Sequence, residues 1–117
     1  MKSTFVKKIM TVEITNTNYE TLFQNNPGLC ILEFGSESCP PCEIIAQHLD
    51  ALAMDFKEEV LIGKVDAYAN LDLATKFGVY KIPTVLFIKN NTVLEKHSGA
   101  LPKKTIEDKI KRHLHRD

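Results

Sequence analysis

The 117-residue chain contains no tryptophan, no surplus of charge of either sign and no long apolar run. Its 15 lysines and arginines are matched by 15 aspartates and glutamates. A formal net charge of zero leaves no broad electrostatic footprint for nucleic acid or an anionic membrane. The apolar stretches are only a few residues long, far short of the roughly 20 needed to cross a bilayer. The segment Met1 to Met10 carries charges but neither a continuous apolar core nor a small-residue cleavage site, so a cytoplasmic protein is expected. Three cysteines are too few for a disulfide scaffold. No repeat, low-complexity tract or linker divides the chain, and residues 1–117 are expected to form one domain around one core.

What is present reads as alternating strands and helices. Partial apolar alternation from Phe5 to Ile14 predicts an edge strand. Thr17 or Asn18 is placed to cap a short helix carrying Tyr19, Leu22 and Phe23, which Asn25-Asn26-Pro27-Gly28 stops. Leu29 to Phe34 is apolar on both faces except at Glu33, the pattern of a buried strand. Ile44, Ile45, Leu49, Leu52, Ala53 and Phe56 recur at helical spacing after it. A second buried strand is expected at Val60 to Val65, and a short helix from Asn70 to Phe77, closed by Gly78. Thr84 to Ile88 is β-branched and aromatic, and Asn90-Asn91 turns it into a hairpin with Thr92 to His97. Pro102 opens a last helix bearing Ile106, Ile110 and Leu114. The order β-α-β-α-β-α-β-β-α predicts an α/β fold, a mixed sheet between helices.

The chemistry concentrates at Cys39-Pro40-Pro41-Cys42. Cys39 falls where a strand has ended and a long helix begins, and the helix dipole there favours a thiolate. Cys42 lies one turn along, close enough to attack a mixed disulfide formed on Cys39. Pro40 and Pro41 stiffen the turn and remove two amide donors from beside the Cys39 sulfur. A lone Cys-x-x-Cys can also be half of a zinc site, but there is no second such pair and His48, His97, His113 and His115 are scattered, each expected at the surface. The redox reading is preferred, with no metal. Cys30, alone in an apolar strand, reads as a small buried hydrophobe. The lysines and arginine of the last helix read as a solvated face.

From about Cys30 to Leu114 the chain resembles the thioredoxin family. The likeness rests on Cys39-Pro40-Pro41-Cys42 after a buried strand, Ile82-Pro83-Thr84 before another, and Gly99 near the last helix. It implies the thioredoxin fold, a central mixed sheet flanked by helices. It also implies a cis bond before Pro83, with Ile82 presenting main-chain groups to an extended substrate. Ile82 and Pro83, together with Pro40 and Pro41, are the expected substrate contacts. Where the family carries a buried Asp this chain has Glu33, with Lys64 nearby. Burial raises a carboxyl's pKa, so Glu33 is expected to take the proton of Cys42, and Lys64 to moderate that shift. The departures are Gly35 and Ser38 where tryptophans are usual, and Pro40 in place of a glycine. Glu37 adds a negative charge that opposes a Cys39 thiolate, and Tyr68 and Tyr80 could border the groove.

The expected activity is a protein-disulfide reductase without a cofactor, in which Cys39 attacks and Cys42 resolves. Its expected partners are disulfide-containing client proteins and a thioredoxin reductase drawing on NADPH, and it is expected to be a monomer. The alternatives are a disulfide oxidase or isomerase, a client-specific reductant, a non-catalytic binding module of the same fold, or a dimer pooling two cysteine pairs on a metal.

Overall fold

A computed structural model of the chain describes residues 11–115. In chain order these form β1 (Val12–Glu13), a π-helical turn (Glu20–Gln24), β2 (Leu29–Gly35), α1 (Pro40–Phe56), a 3-10 turn (Lys57–Glu59), β3 (Val60–Asp66), α2 (Leu71–Lys76), β4 (Thr84–Lys89), β5 (Thr92–Ser98) and α3 (Lys103–Leu114). The strands make one sheet in the order β1-β3-β2-β4-β5. β1, β3 and β2 run parallel, while β4 is antiparallel to both β2 and β5.

β2 is buried along its whole length because it is the middle strand, covered on both faces. Successive side chains in a strand point to opposite faces. Cys30, Leu32 and Phe34 therefore join a cluster with Tyr19, Phe23, Leu73 and Val79. Leu29 and Ile31 join the other, with Ile45, Leu49 and Leu52 of α1 and Ile106 and Ile110 of α3. Glu33 continues this second row toward the start of α1. On β3, Gly63 is required by packing: an added Cβ would stand 2.5 Å from Ile14 Cγ1 and 3.0 Å from Phe23 Cζ.

Asn90 and Asn91 make the β4–β5 turn, with φ of 53° and 61°, the left-handed conformation for which asparagine suits a two-residue hairpin.

Several sequence expectations need correction. Of the strand expected from Phe5 to Ile14, residues 5–10 lie outside the described residues, and Val12–Glu13 is an edge strand as expected. The segment after Tyr19 is a π-helical turn with no side-chain cap. Asn18 does not cap it, because its Oδ1 accepts the Thr15 N–H at 2.8 Å, and the Thr17 hydroxyl pairs with that of Thr15. Ile44 shares the helical spacing of α1 but is 56% exposed, since the buried stripe runs through Cys42, Ile45, Leu49, Leu52 and Ala53. His113 is buried, with Nε2 2.6 Å from Glu95 Oε2. Nor is the basic face of α3 simply solvated: Lys109 Nζ donates to Glu95 Oε1 at 2.7 Å and Arg112 to Glu95 Oε2 at 2.9 Å.

Candidate active site

α1 begins at Pro40, which makes Cys39 its N-cap and Pro40 and Pro41 its first two residues. The first turn of a helix has amides with no partner inside the helix. Proline has no N–H to leave unpaired, so two successive prolines fit this position. The third residue, Cys42, donates its N–H to Cys39 Sγ at 3.3 Å. The cap oxygen of an ordinary helix is thus replaced by a sulfur, and a single amide is aimed at it. The Glu43 N–H closes the first turn on the Cys39 carbonyl at 3.1 Å.

Cys39 and Cys42 are joined by a disulfide, with Cα atoms 5.2 Å apart. Their surroundings differ. Cys39 is partly exposed, beside the exposed Pro40 and Pro41, whereas Cys42 is only 3% exposed. An incoming sulfur can therefore reach Cys39 and not Cys42. Cys30 is 1% exposed, and burial pushes its thiol up to about 11, which suits a packing role.

The inner side of Cys42 faces a cleft of about 560 Å3 that Glu33, Gly35, Glu43, Lys64 and Asp66 also line. Glu33 and Lys64 are register partners on β2 and β3, so their side chains leave the sheet on the same face. Glu33 is 3% exposed, and burial pushes its carboxyl from 4.5 up to about 7. The positive charge of Lys64 acts against this shift, and the negative charge of Asp50 adds to it.

Asp50 was not legible as a site residue. It stands on α1 and holds Lys64 Nζ at 3.0 Å, while the Thr11 hydroxyl donates to the same carboxyl oxygen at 3.0 Å. Lys64 also has Glu13 beside it on β1. Its ion pair is with Asp50 rather than Glu33, and burial outweighs its charge, so Glu33 keeps a raised pKa beside a lysine. The signal available in sequence was the placement of Asp50 two turns beyond Cys42 on the same helix, and it needed the fold to give it meaning.

In the sequence Gly35 stands out only as a missing tryptophan. A Cβ there would meet Glu33 Oε2 at 2.8 Å, Cys42 Cβ at 3.0 Å and Cys42 Sγ at 3.2 Å. The Glu33 carboxyl and the Cys42 sulfur are thus both close to one point, and no further from each other than two of those distances together.

The Ile82–Pro83 peptide is cis. Pro83 is buried, Ile82 partly so, and the Pro83 carbonyl accepts the Gly99 N–H at 2.8 Å. Among the described residues Ile82 makes no main-chain hydrogen bond. Tyr80 and Tyr68 are 88% and 71% exposed. Glu33, Lys64 and Cys42 therefore share the cleft, whereas Ile82, Pro83, Pro40 and Pro41 do not line it. Among the described residues no group of three or more His, Cys, Asp or Glu is placed to hold a metal ion.

This arrangement matches known proteins over most of its length. The family model described as Thioredoxin matches residues 10–112. A thioredoxin of Haemophilus influenzae is 36% identical over 103 residues, covering 88% of this chain and 96% of its own. One from Staphylococcus saprophyticus is 33% identical over 103 residues, 88% of this chain and 97% of its own. One from Chlorobaculum thiosulfatiphilum is 31% identical over 102 residues, 87% and 94% of the two chains.

Proposed function

The chain belongs to the thioredoxin family and is a thiol–disulfide oxidoreductase, and from that premise we propose how its residues divide the reduction of a client protein's disulfide. Cys39, as thiolate, attacks one sulfur of the client. A Cys39–client disulfide forms, the client's S–S bond breaks, and the departing client thiolate takes up a proton. Cys42 then gives its proton to the Glu33 carboxylate and attacks Cys39 Sγ. The Cys39–Cys42 bond forms, the second client thiol leaves, and the two electrons of the dithiol have passed to the client.

The observation that carries this division is the asymmetry of the pair. Cys39 is reachable, sits at a helix N-terminus and receives an amide, whereas Cys42 is buried and faces Glu33 across the cleft. A carboxyl with a pKa of about 7 can accept a proton and release it at neutral pH. Lys64, held by Asp50, tunes that carboxyl. Ile82 offers an uncommitted main chain for pairing with an extended client segment, and backbone pairing tolerates many side-chain sequences. Pro83, Pro40 and Pro41 shape the surface the client meets. The protein acts as a monomer in the cytoplasm, as one domain, and is returned to the dithiol by a thioredoxin reductase.

The test is a pair of single-cysteine variants incubated with an oxidised client such as insulin. Cys42→Ser is expected to accumulate a mixed disulfide and Cys39→Ser to form none. Equal trapping by both would remove the division of labour. Equilibration of the wild-type pair with dithiothreitol buffers is expected to give a potential near about −270 mV. A value near about −120 mV would instead mark an oxidant.

A further inference from the structure

We propose that Gly35 is a positioning residue: the missing side chain at 35 is what allows the longer Glu33 carboxyl to stand beside the Cys42 sulfur. The inference rests on the proton-accepting role of Glu33 and gives that role its geometry. Residues 33 and 35 lie two apart on β2, so a side chain at 35 would leave the sheet on the same face as Glu33.

The backbone does not ask for glycine here. Gly78 and Gly99 have positive φ, and Gly35 does not. Its main chain is also tied down, because its carbonyl accepts the Ala67 N–H at 2.9 Å. What excludes a Cβ is its surroundings, Glu33 Oε2 at 2.8 Å and the Cβ and Sγ of Cys42 at 3.0 and 3.2 Å.

These neighbours are not equally free to move. Cys42 is buried in the first turn of α1, and its short side chain has a single rotatable bond between backbone and sulfur. The Glu33 carboxyl ends a longer, rotatable side chain and gives way first. A glutamate reaches about 1.5 Å further than an aspartate, one C–C bond, and that extra reach brings the carboxyl to where a side chain at 35 would begin. Both departures from the family pattern, Glu33 and Gly35, therefore fall on a single contact.

The reaction of the dithiol protein with Ellman's reagent reads this directly. It releases one thionitrobenzoate when Cys39 attacks and a second when Cys42 resolves, so stopped-flow absorbance separates the two steps. Gly35→Ala is expected to slow the second release about tenfold at neutral pH, with the first release as the internal reference. In the Glu33→Asp background the same change should cost less than about twofold, because the shorter acid leaves room for the Cβ.

Equal cost in both backgrounds would overturn the proposal and assign the clash to Cys42. Equal slowing of both releases would do the same. If Gly35→Ala alone does not fold, recovery of folding by the double variant supports the contact, and failure of both overturns it. The role of Glu33 is tested separately by Glu33→Gln. Should its second release keep the wild-type pH profile, proton acceptance by Glu33 fails. The positioning claim is then decided by 13C NMR titration of the Glu33 carboxyl, which Gly35→Ala must shift if the two residues touch.

Discussion

Cys39 is a helix N-cap whose acceptor is sulfur, and its properties follow from how few donors reach it. At an N-cap the side-chain acceptor is ordinarily served by the amide of the second or third helical residue. Here the third, Cys42, serves it and the second is Pro41, which has no N–H. Pro41→Ala would supply the missing donor without disturbing the helix start, since alanine is the best helix former. A second charge-assisted hydrogen bond should favour the Cys39 thiolate, so that the reduced variant is alkylated at lower pH than the wild type. The pH dependence of iodoacetamide alkylation of the reduced protein measures this; an unchanged or raised midpoint would mean that the N-terminal amides do not set the thiolate. The cysteine pair and its prolines were legible because their chemistry is local, four consecutive residues at one helix start. Glu33 was legible for a different reason, as an acid interrupting an apolar strand. Asp50 and Gly35 were not, because each matters only through a neighbour on another element: Lys64 for the first, Cys42 for the second.

At the scale of elements, the sheet was readable from apolar runs, and its points of close approach were not. β2, β3 and β4 declare themselves as buried strands, and α1 by its stripe. The contact of β3 with the segment before β2 is invisible in that pattern, since Gly63 in Val60–Asp66 looks like a weak position in a strand. It is the point where Ile14 and Phe23 pack closely onto the sheet, both fully buried. Gly63→Ala forces a methyl into their space, and overpacking of this kind costs about 1–3 kcal/mol. Urea unfolding should show a lower midpoint with an unchanged slope. A midpoint equal to that of the wild type would mean that Ile14 and Phe23 repack freely. The π-helical turn departs from the capped helix expected there for a related reason. Asn18 and Thr17 are good cap residues in isolation, but their side chains are already engaged with Thr15, and the turn is held instead by burial of Tyr19 and Phe23.

For the whole molecule, two buried or half-buried acids impose opposite pH dependences on stability. Burial pushes Glu33 from 4.5 up to about 7, so the folded state holds its proton more tightly than the unfolded chain. Its contribution is full below 4.5 and is lost as pH rises through about 7, a swing of about 3 kcal/mol. Glu95, which ties β5 to α3, behaves the other way. Burial alone would raise its carboxyl, but hydrogen bonds and charge from Lys109 and His113 outweigh that and hold it below 4.5. Its contribution is present above 4.5 and is lost as pH falls through its lower folded value. The two slopes meet near the ordinary carboxylate pKa, so the oxidised protein should be most stable on the acid side of neutrality. Urea midpoints measured from about pH 3 to about pH 8 should rise and then fall. Glu33→Gln should remove the fall above about pH 5 and leave the variant more stable than the wild type at about pH 8, because no buried charge has to form. Glu95→Gln should lower stability at neutral pH and flatten the acid limb. If the fall toward alkaline pH survived in Glu33→Gln, the buried carboxyl beside Cys42 would not be the group that titrates near 7. The stability that Glu33 removes at neutral pH would then have no link to the proton it is proposed to accept.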